Sequence, residues 1–143
     1  MIRIQETRDI ALCRELRRQV FTLEQGISQA DEWDEDDHTA LHFIAVQDET
    51  PIGTARVVIT GATAKIGRVC VIAPARRQGV ASALLRAALD RITSLGGIAQ
   101  VTLGAQLSAQ GLYAALGFRP DGAIFDDVGI PHQAMVLDLA AAS

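Results

Sequence analysis

Cysteine, lysine, aromatic residues and long apolar runs are all scarce in this chain. The two cysteines, Cys13 and Cys70, stand far apart and outside any Cys-x-x-Cys pattern. That spacing argues against a disulfide framework or a zinc knuckle, and both read as buried thiols. Aromatics make up 4% of the residues, so aliphatic side chains must build the core. The longest apolar run, Val69-Cys70-Val71-Ile72-Ala73, falls far short of the ~20 residues of a membrane span. Met1 to Glu6 alternates and carries no apolar signal core, so the expectation is a cytoplasmic chain with no membrane partner. A basic surplus is missing too. Net charge is −4, and six of the 17 acidic residues crowd into residues 31–37. The remaining 11 oppose 13 basic residues, which supports no nucleic-acid surface. The single lysine, Lys65, follows no Gly-rich loop, and Gly-x-Gly-x-x-Gly is absent. A P-loop and a dinucleotide fingerprint are thereby excluded. Arginine supplies almost all the positive charge, a bias that phosphate recognition and codon usage explain equally well.

What remains is ample for one globular domain spanning residues 1–143. The chain is 49% hydrophobic and 21% charged, and a chain of this length buries about two-thirds of its unfolded surface. Residues 2–5 alternate as a strand. Thr7 is placed to cap a helix over residues 8–23, with Ile10, Cys13, Leu16 (or Arg17) and Val20 as its apolar stripe. Residues 27–38 read as a polar loop or a short helical turn. Strands are predicted over 41–47, 52–60 and 65–72, joined by tight turns. An amphipathic helix follows over 79–95 and stops at Gly96-Gly97. A buried strand over 98–103, a helix over 108–116 and two closing strands over 118–126 and 133–139 complete the order. The fold class is α/β (α+β): a mixed sheet with helices packed on it.

The stretch that carries chemistry is a strand, a loop and a helix start. After Ile66 to Ile72 comes Ala73-Pro74-Ala75-Arg76-Arg77-Gln78-Gly79-Val80-Ala81. The first amides of a helix lack intrahelical partners and sit at the positive end of its dipole, which makes an anion site. Gly79 lets a phosphate approach the backbone, Ala81 does not block it, and Arg76 and Arg77 can add charge-assisted bonds.

Arg76-x-x-Gly79-x-Ala81 resembles the pyrophosphate loop of the GNAT acyl-CoA transferases. Gly111-Leu112-Tyr113 through Leu116-Gly117-Phe118 resembles that family's second signature, a Tyr-bearing helix ending in Leu-Gly-Phe. Five further stretches look like its ElaA-like branch: Val20-Phe21-x-x-Glu24-Gln25-Gly26, Asp31-Glu32-Trp33-Asp34, Ala40-Leu41-His42-Phe43, Gly67-Arg68-Val69 and Gly129-Ile130-Pro131-His132. Together they cover nearly the whole chain. One departure stands out: Leu103-Gly104-Ala105-Gln106 has glycine where similar proteins often carry histidine.

The resemblance implies a mostly antiparallel central sheet, splayed between the fourth and fifth strands, with helices on both faces. It implies an N-acyltransferase moving an acetyl group from acetyl-CoA to a primary amine, by direct attack in a ternary complex. Arg76, Arg77, Gln78, Gly79, Val80, Ala81 and Ser82 would hold the pyrophosphate. Val69, Cys70, Val71, Gln106 and Tyr113 would line the pantetheine arm, with a backbone N–H near Val71 polarising the thioester. Tyr113 would protonate the departing thiolate. Glu24, His42 and His132, in that order, are candidates for the general base, and a water chain could replace all three. No metal is expected: His38 and His42 are four apart, but four strand residues span ~13 Å. The acidic run 31–37 is either a solvated loop or an attractor for a cationic amine. The chain would act as a monomer or homodimer. The alternative is a non-catalytic acyl-CoA sensor on the same fold, which would need Arg76 and Gly79 but not Tyr113, or an interaction protein, in which the loop arginines would be dispensable.

Overall fold

Alternating apolar residues and short turns set up the strands of this chain, and a computed structural model describes residues 1–139 of it. The strands are β1 (Ile2–Thr7), β2 (Leu41–Gln47), β3 (Thr50–Thr60), β4 (Thr63–Val71), β5 (Gln100–Gln106), β6 (Arg119–Asp127) and β7 (Ile130–Asp138). The helices are α1 (Ile10–Arg17), α2 (Gln29–Glu32), α3 (Val80–Leu95) and α4 (Gln110–Ala115). All seven strands form one sheet in the order β1-β2-β3-β4-β5-β7-β6. Every pairing is antiparallel except the parallel one between β4 and β5.

Side chains alternate across the sheet, so neighbours on one strand report opposite faces. Phe43 and Ala45 of β2 pack in the main core with Leu84, Leu85, Ala88 and Ile92 of α3. Ile44 and Val46, between and beyond them, pack against Leu16 of α1. Helices α1 and α3 therefore cover opposite faces, as the resemblance implies.

Several boundaries differ from the sequence reading, each for a local reason. Asp9, not Thr7, caps α1: its side chain accepts from the Leu12 N–H at 3.0 Å, while Thr7 accepts from the Asp9 N–H. The helix then widens into a π-helical segment, Arg18–Glu24, closed by a Gln25 N–H to Val20 carbonyl bond. The turn before β3 is only Asp48-Glu49, both at positive φ, the conformation that matches strand twist in a two-residue hairpin. That lets β3 start at Thr50, with Pro51 at a register shift, where proline is tolerated. A second tight turn, Val128-Gly129, also at positive φ, starts β7 at Ile130, so His132 lies within a strand and not on a loop. The fourth helix is shorter than read, its first turn being a 3₁₀ turn over Leu107–Ala109.

Candidate functional site

Strands β4 and β5 pair only through Thr63, Ala64 and Lys65 against Gln100, Val101 and Thr102. Beyond that point they diverge and leave a wedge between them. Two cavities fill it, of about 390 Å³ and about 270 Å³. They meet along a common wall of Val69, Cys70, Val71, Arg76, Ala109 and Tyr113.

The wall owes its character to β4. The β3–β4 register moves between Thr54–Cys70 and Arg56–Gly67, so Arg68 and Val69 together oppose Ala55. This is a β-bulge, and Arg68 takes a φ of 52° in it. Past the bulge the Ile72 N–H donates to the Ile52 carbonyl at 2.9 Å. Hydrogen-bonded pairs alternate along an antiparallel ladder, so Gly53–Val71 is a non-bonded pair. The N–H and C=O of Val71 therefore turn away from β3, toward the wedge.

The smaller cavity lies over the start of α3. Arg77, Gly79, Val80, Ala81 and Ser82 line it. Arg77 and Gly79 both have positive φ, 63° and 78°, so the chain turns tightly just ahead of α3. A Cβ on Gly79 would meet nothing within 4 Å; the space above this helix start is open. Gln78 turns away and accepts from Gln47 at 3.1 Å. Arg76 is held on three nitrogens: its Nε donates to the Val71 carbonyl at 2.9 Å, and both Nη atoms donate to the Glu24 carboxylate.

The larger cavity holds the remaining candidates. Tyr113 is 8% exposed, and burial alone pushes its phenol up to about 12. Gln106 donates to Gln25 at 3.0 Å. Glu24 lines this cavity, and the hydrogen bond and charge of Arg76 hold its carboxyl below the usual range. His132 is buried, and its Nδ1 donates to the Ile130 carbonyl at 2.8 Å. A carbonyl only accepts, so the neutral ring keeps Nε2 as an acceptor. The ring stacks on Phe125 at 5.7 Å. Both rings lie over Gly104, whose hypothetical Cβ would stand 3.4 Å from Phe125 Cζ. His42 is placed elsewhere: it lines neither cavity, and its Nε2 bonds the Asp37 carbonyl at 2.8 Å. Cys70 lies in the shared wall, and burial pushes its thiol up to about 12, which leaves it inert.

The acidic run is divided: Asp31, Glu35 and Asp36 are exposed, Asp31 on the lining of the larger cavity, while arginines hold Glu32, Asp34 and Asp37. Glu32 and Asp37 are buried. Arg17, itself 1% exposed, bonds both. Arg14 adds a bond to Asp37 at 2.9 Å, Arg56 bridges Asp34 and Asp37, and Arg68 reaches Asp34 at 3.2 Å. Burial pushes the Asp37 carboxyl up, but the bonds from Arg17 and Arg14 outweigh it and hold the group far below its ordinary value. The network fastens residues 31–37 to α1 and to the bulge. Its one trace in the sequence is Arg17, a charge standing on the apolar stripe of α1. Trp33 lies at the surface beneath the Arg14 guanidinium, 4.4 Å from the ring centre. Among the described residues, no three His, Cys, Asp or Glu side chains gather as a metal site. No helix there is long and apolar enough to cross a membrane.

Comparison with known proteins bears directly on this wedge. Residues 13–139 match the family model described as acetyltransferase (GNAT) domain. The chain is 33% identical to YyaT of Bacillus subtilis over 141 residues, 96% of this chain and 95% of that one. It is 30% identical to the protein ElaA of Escherichia coli over 133 residues, 90% of this chain and 86% of ElaA. The crystal structure of Escherichia coli ElaA matches the fold with a TM-score of 0.85 at 28% identity, covering 95% of this chain and 99% of that one. An acyl-CoA N-acyltransferase from Pseudomonas aeruginosa shares the fold with a TM-score of 0.83 at 24% identity, over 95% of this chain and 99% of that one. With a splayed seven-stranded sheet and matching sequence throughout, the chain belongs to the GNAT acetyltransferase family, in its ElaA-like branch, and is an acyltransferase.

Proposed function

We propose that the protein transfers an acetyl group from acetyl-CoA to a primary amine by direct attack in a ternary complex. The observation that carries this reading is the meeting of two cavities at one wall, one over a helix start and the other lined by polar groups. A donor thioester entering from the α3 side and an amine from the other side would meet at Val71 and Tyr113. Such an arrangement converts a bimolecular step into a positioned one.

Residues of the chain then have distinct tasks. The amides at the start of α3, with Arg77, take the pyrophosphate. The Val71 N–H, turned into the wedge, donates to the thioester oxygen as the amine nitrogen attacks and negative charge builds there. The C–S bond breaks, and the departing sulfur takes a hydrogen bond from Tyr113. A phenol at about 12 is a weaker acid than a thiol near 8.5. Tyr113 therefore steadies the thiolate and keeps its proton in the ground state. The amine's surplus proton goes to His132 Nε2 or to water in the larger cavity. Glu24 is the poorer base, because Arg76 already occupies its carboxylate.

Calorimetric titration with acetyl-CoA and with CoA tests the donor assignment. Wild type should bind both in the micromolar range. Gly79→Ala and Gly79→Glu both place a side chain at positive φ, a strain of about 1–2 kcal/mol. Only the glutamate puts a carboxylate where the pyrophosphate belongs, so Ala should bind and Glu should not. Failure of wild type to bind at millimolar ligand would remove the reading. Equal binding by the Ala and Glu variants would remove the loop assignment.

A further inference from the structure

The Glu24–Arg76 pair links two distant parts of the chain at the point where the cavities meet. Glu24 ends the π-helical segment after α1, and Arg76 stands in the loop between β4 and α3. The pair is about half exposed, so it is no core element. Its third member makes it informative: Arg76 Nε donates to the carbonyl of Val71. In a β-strand the N–H and C=O of one residue leave by the same edge. The bond that holds the Val71 carbonyl thus also sets the direction of the Val71 N–H.

We infer that Glu24 and Arg76 are positioning residues, a brace that aims the Val71 N–H at the acyl carbonyl, and that they supply neither the base nor the phosphate contact. The inference rests on the acyl-transfer reading above and names how that site is kept in shape. Three of the five guanidinium N–H donors are spent inside the brace. Arg77, by contrast, lines the smaller cavity and makes no ion pair or side-chain hydrogen bond among the described residues, so it is the side-chain cation for the pyrophosphate. Bidentate geometry matters here: a lysine keeps the charge of Arg76 but cannot bond Val71 and both Glu24 oxygens together.

The test needs no acceptor amine. Acetyl-CoA labelled with ¹³C at the thioester carbonyl is bound at saturation, and its stretching band is read by difference infrared spectroscopy. Dissociation constants come from calorimetry on the same samples. A Val71 N–H on the oxygen should move the wild-type band below its position in water. In Glu24→Gln, Arg76→Gln and Arg76→Lys the band should return toward the free position while Kd changes less than about threefold. Glu24→Asp should recover part of the shift. Arg77→Ala should do the reverse, weakening binding roughly tenfold or more with the band unmoved. Circular dichroism and melting checks that each variant is folded. A roughly tenfold loss of affinity in Arg76→Lys with the band in place would make Arg76 a phosphate ligand and overturn the inference. An unmoved band and unmoved Kd in Glu24→Gln would overturn it as well. A wild type that binds acetyl-CoA with no band shift would defeat the brace alone, whereas a wild type that does not bind would defeat the acyl-transfer reading.

Discussion

At the scale of single residues, burial bears on the role proposed for Tyr113. The hydroxyl belongs to a ring packed edge-on against Phe118 at 6.2 Å, and burial raises its pKa to about 12. A phenol at that value stays protonated throughout the working range, so its effect on the rate should not titrate. Tyr113→Phe should slow transfer by roughly tenfold or more. The loss should be the same at pH 6 and at pH 9 in steady-state rates measured with saturating acetyl-CoA. A loss that fades at high pH would mean that Tyr113 ionises within the working range and can no longer donate. The resemblance singled out Tyr113 as a candidate from its place ahead of Leu-Gly-Phe, but its burial and the rise of its pKa were not legible, since they depend on the packing around it. Gly104 is a similar case. Its departure from the histidine of similar proteins was plain, yet only the fold shows Phe125 and His132 lying over the vacated place.

At the scale of elements, the periodic pieces were readable and the charged segment was not. Helix α3 follows from its apolar spacing and its flanking glycines, and it sits where expected. Its seating depends on Gly53 of β3, where a Cβ would stand 2.9 Å from the Cys70 carbonyl and 3.2 Å from Leu84 Cδ1. The first contact is with backbone, which cannot swing aside. Gly53→Ala should therefore cost about 1–3 kcal/mol in urea unfolding, and an unchanged midpoint would show that α3 shifts at little cost. The segment over residues 31–37 looked polar because pattern reading treats charge as a mark of solvent. Asp31, Glu35 and Asp36 are indeed exposed, but Glu32 and Asp37 are inside because arginines from α1, β3 and β4 meet the segment there, and those partners lie too far off in sequence for a local pattern to reveal. Asp37 has a folded pKa far below its unfolded value. The sign follows from linkage: its contribution is complete above about pH 4 and is lost as pH falls through the lower, folded value. Asp37→Asn should remove this contribution and leave Arg17 with Glu32 as its one carboxylate partner, at a cost of about 1.5–3 kcal/mol near neutrality. Below about pH 4 the gap between variant and wild type should narrow. A gap that stays constant down to pH 2 in denaturant melts would show that Asp37 is not the group being titrated.

At the scale of the whole molecule, the sheet is two ladders joined by a short seam. Strands β1 to β4 form one and β5, β7 and β6 the other, with three parallel residue pairs between them. Bonds from Ala99 and Gln100 to the Ala62 carbonyl close the same end. From Ile66 to Val71 nothing on β5 pairs with β4, and Gln106 of β5 instead reaches Gln25, just past the π-helical segment, at 3.0 Å. The order of elements in the sequence foretold the splay only through the family resemblance; hydrophobic spacing carries no information on where a sheet stops pairing. A ligand lying in the wedge would replace the missing ladder and touch both halves. Ligand that binds only the folded chain adds about 2.7 kcal/mol at a hundred times its Kd. For a domain of this size that corresponds to a rise of about 8 °C in melting temperature. Slowed amide exchange should accompany the rise at Val69 and Val71 on β4 and along Leu103 to Gln106 on β5, whereas the outer edge strand β1 should exchange as before. Protection confined to the start of α3 would mean that acetyl-CoA is held by its phosphates alone. The pantetheine arm would then lie outside the wedge, and Val71 and Tyr113 would lose their place in the reaction.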